Sequence, residues 1–415
     1  MQRVFHGIEF LVIAPSEIRE NSKRVLARNY FHETDIEIME IKVNSNELAK
    51  KLEQVTKVVA TKSAIPILSD VLVETRGNVM LLTTSDSEVW LSVKCPLLGN
   101  FDGLKFCVNA HDLLELVKNL NDREAIISID EESQQMLCDY GNGNFSMPYD
   151  NASEFPAPNM ESESLSSVIV GGKNIMKAIE LTSFAVGNSI IIPIMNGIHF
   201  VFSESGMTAS ATNTFKVAVY NDNSIKQDVH IEFTMPKKPS VILSSMLSSV
   251  DGDIKISLGA SAISVNNTNF KLSARLLEGK FFDCESLTKG IRPISVTIDK
   301  VSILQALKRV MPMTDETSNL VVMFFEKGQV TVTADNTVFE KSASETVKCD
   351  CDTELRIGFK CSDLIELLKN IDDDNIVMEM GDSTKGAIVY ASSTYSRDEY
   401  VSLLSSSLIE QPANG

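Results

Sequence analysis

Few side chains in this sequence have the types and spacing that a catalytic centre or a metal site requires. Cys349 and Cys351 form a C-x-C pair, but no second cysteine pair or nearby histidine accompanies them to complete a metal site. The segment "EMGDSTKG" (379–386) lacks the spacing of a phosphate-binding loop, and the acidic run 372–374 is explained by a solvated turn. Motifs of P-loop enzymes, zinc proteases and serine hydrolases are not found. The sequence therefore predicts no catalytic residue, no metal and no cofactor.

Basic residues on three similar helices offer a second kind of chemistry, which is attraction to phosphate groups. Each helix carries apolar residues on one face and mostly lysine on the other. The basic residues are Lys50, Lys51 and Lys57 in the first helix, Lys173 and Lys177 in the second, and Lys300, Lys308 and Arg309 in the third. A solvated helix face would explain any one of these patterns. The same pattern on three helices of an acidic chain is explained equally well by a surface that binds nucleic acid.

The composition is that of a globular protein, and it limits the kinds of partner and the cellular compartment that we expect. The 415 residues are 43% hydrophobic, and the net charge of −18 argues against a uniformly basic nucleic-acid-binding surface. Seven scattered cysteines are typical of a reducing compartment, so we expect a cytoplasmic protein. No apolar run reaches the roughly 18 residues that a membrane span needs.

One pattern of strands and helices occurs three times. "IPILSDVLV" (65–73) and "IPIMNGIHFV" (192–201) are nearly the same phrase, 127 positions apart. The segments that begin at Lys42, Ile169 and Thr297 each predict a short strand, a capping position and a helix. These landmarks recur in the same order, so the chain contains an internal repeat.

A second helix marks the later half of each copy. It is written "DLLELVKNLND" (112–122), "ILSSMLSSVDG" (242–252) and "DLIELLKNIDD" (363–373), with apolar residues at i, i+3, i+4 and i+7. We therefore predict three copies of one α+β domain, at 39–160, 165–289 and 290–409. Residues 1–38 precede the pattern, either as an appended arm or because translation begins at Met39.

The chain resembles the beta sliding clamp of bacterial DNA polymerase III. "IPILSDVLVE" follows a helix and Lys62, and further matching phrases are "FSMP" (145–148), "NGIHF" (196–200), "LLEGKFFD" (276–283) and "DEYVSLL" (398–404). Their order and spacing cover residues 39–405. The resemblance implies a head-to-tail homodimer, a ring with helices lining the hole and antiparallel sheets outside.

The resemblance also implies a function without catalysis. Duplex DNA would pass through the ring, held without sequence specificity. The ring would tether the replicative DNA polymerase as a processivity subunit of a DNA-directed DNA polymerase, which is a nucleotidyltransferase complex. An ATP-dependent clamp loader would open it, and repair proteins with a clamp-binding motif would share its partner groove.

Site residues follow from the positions that match the family. The expected DNA-binding residues are Lys62, His111, Asn188 and Ser189, with Lys50, Lys57, Lys173, Lys177 and Lys308 from the helices. The expected groove residues are Ile192, Ile194, Met195, Thr212, Thr214, Phe215, Lys216, Val217, Phe282, Leu287, Val401, Leu403 and Leu404. The expected dimer interface joins Phe145 and Met147 to Val310 and Met311.

Three phrases depart from the family pattern and leave an alternative open. They are "TNTFK" (212–216), "FDC" (282–284) and "LLS" (403–405), the last followed by a longer tail. They put the partner preference of the groove in question. The altered ending and the unusual leader favour an alternative, a divergent clamp-fold adaptor that binds partner peptides without encircling DNA. An enzyme built from the acidic and polar corners is a third, weaker hypothesis because no motif supports it.

Overall fold

The computed structural model describes residues 40–60, 64–157, 166–290 and 292–409. The leader 1–38 and the predicted DNA contact Lys62 lie outside these residues. The described residues contain 24 strands and seven α-helices, and eight strands fall in each predicted copy. The α+β class and the three tandem copies are confirmed.

The three copies have the same order of elements. The first has β1 (Glu40–Asn44), α1 (Ser45–Val55), β2 (Asp70–Arg76), β3 (Val79–Ser85), β4 (Val89–Pro96), β5 (Lys105–Asn109), α2 (Ala110–Lys118), β6 (Glu124–Asp130), β7 (Gln135–Asp139) and β8 (Asn144–Pro148). The second has β9 (Ser166–Gly171), α3 (Gly172–Thr182), β10 (Gly197–Ser203), β11 (Gly206–Thr212), β12 (Lys216–Asp222), β13 (Ile231–Pro236), α4 (Lys237–Leu247), β14 (Asp253–Leu258), β15 (Ala262–Asn266) and β16 (Phe270–Arg275).

A short helix, α5 (Cys284–Thr288), connects the second copy to the third. The third copy has β17 (Ile294–Asp299), α6 (Lys300–Val310), β18 (Leu320–Glu326), β19 (Gln329–Asn336), β20 (Lys341–Asp350), β21 (Leu355–Lys360), α7 (Cys361–Lys369), β22 (Asn375–Met380), β23 (Ala387–Ala391) and β24 (Tyr400–Leu404). Single 3-10 turns lie at Pro66–Ser69, Ala152–Glu154, Ser183–Ala185, Pro193–Asn196 and Met311–Met313.

Side-chain caps fix where several helices begin. The side-chain oxygens of Asn44, Asn109 and Asp299 each accept a hydrogen bond from the backbone N–H three residues later. Such a cap satisfies a donor that the first helical turn leaves unpaired, and it is worth about 1 kcal/mol. The apolar face of α1, which includes Leu48 and Leu52, is buried in the core of the first copy.

Each copy contains two four-stranded antiparallel sheets, and the copies share sheets with one another. In the first copy the strand orders are β1-β6-β7-β8 and β5-β2-β3-β4, and the later copies repeat both orders. β4 pairs with β16, which joins the first copy to the second, and β12 pairs with β24, which joins the second to the third. The joints between copies are therefore continuous sheets.

Candidate functional site

The joint between the second and third copies is held by strand pairing and by a buried hydroxyl. β12 and β24 pair from Lys216 opposite Leu404 to Tyr220 opposite Tyr400. Tyr400 is completely buried, and its hydroxyl donates to the main-chain oxygen of Leu181 in α3 over 3.1 Å. A satisfied bond of this kind contributes about 1 kcal/mol. The strand pairing and the buried hydrogen bond therefore fix the second and third copies relative to each other at this joint.

A buried apolar cluster forms the floor of a surface at this joint. It contains the predicted groove residues Ile194, Val217 and Val401, with Leu403 packed against it. Met195 and Leu404 are buried as well. Sequence reasoning missed the other members of the cluster, which are Val219, Phe281, Cys284 and Ile388, with Leu277 and Tyr390 beside them. The continuous apolar run of β23, "AIVYA" (387–391), was the signal that could have found Ile388 and Tyr390.

Exposed apolar side chains surround this floor. Phe215 is 62% exposed, and Ile192, Phe282 and Leu287 are exposed too. The two neighbouring phenylalanines differ, because Phe281 is buried and stacks on His199 with ring centroids 4.7 Å apart. We call the buried floor and its exposed apolar edge the groove. A contiguous apolar surface of this kind is typical of a peptide-binding site.

A tight turn before β12 places Phe215 at the edge of the groove. The side-chain oxygen of Asn213 accepts hydrogen bonds from the N–H groups of Phe215 and Lys216, at 3.0 and 2.9 Å. Thr212 is buried, and its hydroxyl donates to the main-chain oxygen of Lys216. Thr214 has a φ of 76° and is exposed. Thr212 therefore shapes the turn, and Thr214 and Phe215 are the residues of the turn that a ligand can reach.

The structure corrects the expectation that Lys216 lines the groove. Its side chain is 5% exposed and forms ion pairs with Asp363, at 3.4 Å, and with Glu366, both in α7. Its ammonium group also lies over the ring of Phe184, 5.8 Å from the centroid. Burial of a charge requires such partners, so Lys216 is committed to the joint between the copies.

The chain continues past the groove along the edge of another sheet. The Ser405 N–H donates to the oxygen of Phe215 over 2.7 Å, and the Ser407 N–H donates to the oxygen of Gly358 in β21 over 2.8 Å. Ile409 packs against Gly358 so closely that a Cβ at this glycine would collide with it. The segment 405–409 thus forms one end of the groove and covers part of the β21 edge.

Three of the predicted DNA-contacting lysines are exposed but have partners. Lys50 pairs with Glu47 at 2.9 Å, and this hydrogen bond raises the pKa of Lys50. Lys173 pairs with Asp251 at 2.5 Å. Lys57 donates to the hydroxyl of Ser245 across the joint between the first and second copies. The two carboxylates weaken but do not remove the positive potential of the helix faces, and the neutral Ser245 hydroxyl leaves the charge of Lys57 unopposed by a carboxylate among the described residues.

The other predicted DNA contacts are arranged differently. Lys177 is partly buried, 3.5 Å from Glu399, so it contributes mainly to the joint between the second and third copies. His111, Asn188 and Lys308 are exposed. The Ser189 N–H donates to the side chain of Asn196, and its hydroxyl accepts from Ile192, so Ser189 fixes its own loop.

The predicted interface residues do not all reach the surface. Phe145 is half-buried and Met147 buried, both on the terminal strand β8. Met311 is exposed in the turn after α6. Val310 is completely buried in its own copy. The expectation that the Val310 side chain contacts a partner is therefore corrected, because packing of the apolar face of α6 already encloses it.

Models of one family match all three copies. The N-terminal domain of the DNA polymerase III beta subunit matches residues 39–160, the central domain matches 170–283, and the C-terminal domain matches 292–402. Together these matches cover most of the chain. The chain belongs to the DNA polymerase III beta subunit family.

Curated relatives and solved structures carry the same family name. The beta sliding clamp of Pseudomonas putida is 27% identical over 354 residues, 85% of this chain and 95% of that protein. The corresponding protein of Vibrio cholerae is 24% identical over 353 residues, again 85% and 95%. The crystal structure of the Pseudomonas aeruginosa beta subunit superimposes with a TM-score of 0.82 at 24% identity, over 89% of this chain and all of that one.

A relative in complex with a ligand has the same fold. The sliding clamp of Bartonella birtlesii bound to griselimycin superimposes with a TM-score of 0.82 at 20% identity, over 89% of this chain and all of that one. In the part of this chain that the structure describes, no helix is long and apolar enough to cross a membrane. No group of three or more potential metal ligands is found among the same residues.

Proposed function

We propose that two copies of this chain close head to tail into a ring around duplex DNA and tether the replicative DNA polymerase. The observation that carries the proposal is a pair of open sheet edges at opposite ends of the chain. In the described residues, β8 pairs only with β7, and residues 341–348 of β20 pair only with β19. Unpaired edges of this length are normally covered.

The repeat specifies what should cover them. β4 and β12 are the edge strands of the sheets β5-β2-β3-β4 and β13-β10-β11-β12, and each pairs with the last strand of the following copy, β16 or β24. β20 is the same strand in the third copy, and β8 is the last strand of the first. If β20 of one subunit pairs with β8 of another, every joint in the assembly has the same pairing of strands. A head-to-tail contact that closes after two subunits gives a ring.

The helix faces favour loose attraction to DNA. The exposed lysines Lys50, Lys57, Lys173 and Lys308 would attract phosphates without reading sequence. Two of these charges, those of Lys50 and Lys173, are partly neutralised by neighbouring carboxylates, and an acidic chain at −18 repels DNA elsewhere. Retention on DNA would then depend on the closed ring, which keeps the polymerase at a high effective concentration.

The groove is the proposed docking site for partner peptides. Its exposed Phe215, Phe282 and Leu287 above an apolar floor favour a short hydrophobic motif. We assign the polymerase, an ATP-dependent clamp loader and repair proteins to this surface. The protein would act in the cytoplasm as a non-catalytic subunit, and nucleotidyl transfer would belong to the polymerase. The griselimycin complex of a relative supports a ligand-binding role for this family.

Retention on circular and linear DNA tests the ring. The full chain would be loaded on nicked circular duplex DNA, and its retention would be measured in high salt before and after the circle is cut. We expect stable retention on circles and rapid loss after cutting, because the protein slides off an end. Equal loss from both forms would refute encirclement and favour the adaptor that binds peptides only.

A further inference from the structure

One ion cluster already holds a joint between two copies. Lys216 is the first residue of β12, and it meets Asp363 and Glu366, which are the third and sixth residues of α7. The lysine belongs to the second copy and both carboxylates to the third. The cluster is largely buried, so it is sensitive to the charge on either side.

Helix α2 carries the same two carboxylates at the same positions, with no ion-pair partner in the described part of the chain. Asp112 and Glu115 are the third and sixth residues of α2 and are exposed. Within the described residues they form no ion pair. Leu116 is 38% exposed, whereas its counterparts Met246 and Leu367 are 2% and 0% exposed. This face of α2 therefore resembles the face of α7 that the second copy covers, but in the single chain it is exposed to solvent.

The third copy offers the matching lysine. Lys341 is the first residue of β20, as Lys216 is of β12, and it follows "NTVFE" where Lys216 follows "NTF". Its ammonium group lies 5.6 Å from the ring of Phe339, as that of Lys216 lies 5.8 Å from Phe184. Lys341 is exposed and has no ion pair within the described part of the chain, while the nearby Arg309 is already paired with Glu345 at 2.7 Å.

The first joint has the opposite polarity. There the acid comes from the turn, because Asp86 before β4 pairs with Lys238 of α4 in the second copy. A turn that carries lysine would meet Lys238 with like charge, which is a barrier to a wrong pairing. The chain thus has an ion pair at both internal joints. The charges on β20 and α2 match those of the second joint, because the lysine precedes or begins the strand and the carboxylates lie on the helix.

We propose that Lys341 of one subunit pairs with Asp112 and Glu115 of the partner subunit, and that this ion cluster selects a second copy of this chain at the ring joint. The inference rests on the proposed ring. Apolar contact would accompany it, since Leu116 lies on the same helix and Met311, Val338 and Phe339 are exposed near the other edge.

Mixing two charge-altered proteins tests the cluster. In a homodimer of Lys341→Glu, acid faces acid at both joints. In a homodimer of the double variant Asp112→Asn/Glu115→Lys, lysine faces lysine at both joints. We expect each alone to dimerise at least about tenfold more weakly, because two joints add their effects. A 1:1 mixture should give a heterodimer of near wild-type affinity, because opposite charges face each other at both of its joints. One joint keeps Lys341 facing Asp112 and Glu115, and the other has the introduced glutamate facing the introduced lysine. Sedimentation velocity over a range of concentrations measures all three.

The controls separate this inference from the ring itself. Lys327→Glu changes an exposed lysine at the far end of the β18–β19 hairpin and should leave dimerisation unchanged. Circular dichroism melting confirms that each variant folds. A dimeric wild type whose variants dimerise equally well, or whose mixture forms no heterodimer, overturns the ion cluster and leaves the ring intact. A wild type that stays monomeric at every concentration overturns the ring and this inference together.

Discussion

Removing the charge of Lys216 should loosen the joint beneath the groove. Lys216→Met keeps the length of the side chain and its packing near Phe184, but it leaves Asp363 without its cation. The Asp363 side chain is 11% exposed, so it cannot recover full hydration. Breaking a buried ion pair costs about 3–5 kcal/mol. Glu366 is 46% exposed and can turn to water, so we expect about 2–3 kcal/mol here.

Calorimetry can measure this loss. For a unit of 150–250 residues, about 1 kcal/mol corresponds to about 2–4 °C in Tm, so the expected fall is about 4–12 °C. Protein concentration must be held constant, because dimerisation shifts the apparent stability. The matched control is Lys327→Met, which removes an exposed lysine without an ion pair in the described residues and should change Tm little.

A double-mutant cycle decides whether the pair is responsible. Asp363→Asn alone should also destabilise, because it leaves the ammonium group of Lys216 with one carboxylate. The double variant Lys216→Met/Asp363→Asn should lose less than the sum of the single losses, with a coupling of about 1–3 kcal/mol. Strict additivity, or a Tm of Lys216→Met equal to that of the control, would refute the assignment of Lys216 to the joint.

Two further substitutions test other parts of the described chain. Burial, together with a hydrogen bond to the carboxyl of Asp150, raises the pKa of Asp70 to about 7. Because this pKa lies above that of the unfolded chain, the proton stabilises the fold and its contribution is lost as pH rises through about 7. Asp70→Asn removes this titrating group, so its Tm should fall less between about pH 5 and pH 8 than that of the wild type. An equal fall in both proteins would contradict the raised pKa of Asp70. Gly386→Ala should lower Tm by several degrees, because its Cβ would collide with the main-chain oxygen of Leu404, whereas Gly381→Ala, facing only a flexible lysine side chain, should not.

Local patterns in the sequence predicted much of the fold. The apolar spacing of "DLLELVKNLND" and "DLIELLKNIDD" corresponds to α2 and α7, and the repeated "IPIL" and "IPIM" phrases open the strands β2 and β10 through 3-10 turns. Periodicity carries this information because each helix or strand buries one face of its own residues. The internal repeat predicted the three copies and their order, and the resemblance to the family added the expected groove residues.

Contacts between distant residues could not be predicted in the same way. Lys216 and Asp363 are 147 positions apart, and nothing local distinguishes a lysine that will be buried by another copy from one that faces solvent. Val310 is a different case, because it continues the apolar spacing of Ile303 and Leu307 on α6, and this local pattern already indicated burial. For Lys216, only the packed structure shows that the side chain is not available to a ligand.

Weak attraction to DNA is consistent with the charge pattern of the helices. Lys50 and Lys173 each pair with a carboxylate of their own copy, and Lys177 pairs with Glu399 of the third copy. Exposed pairs such as those of Lys50 and Lys173 are worth about 1 kcal/mol or less, so we expect phosphates to compete for these two lysines without holding them firmly. A protein that relied on affinity alone would need stronger, unpaired charges. A closed ring does not, because its topology prevents escape while weak contacts leave it free to slide. The paired lysines and the two open strand edges therefore support the same function.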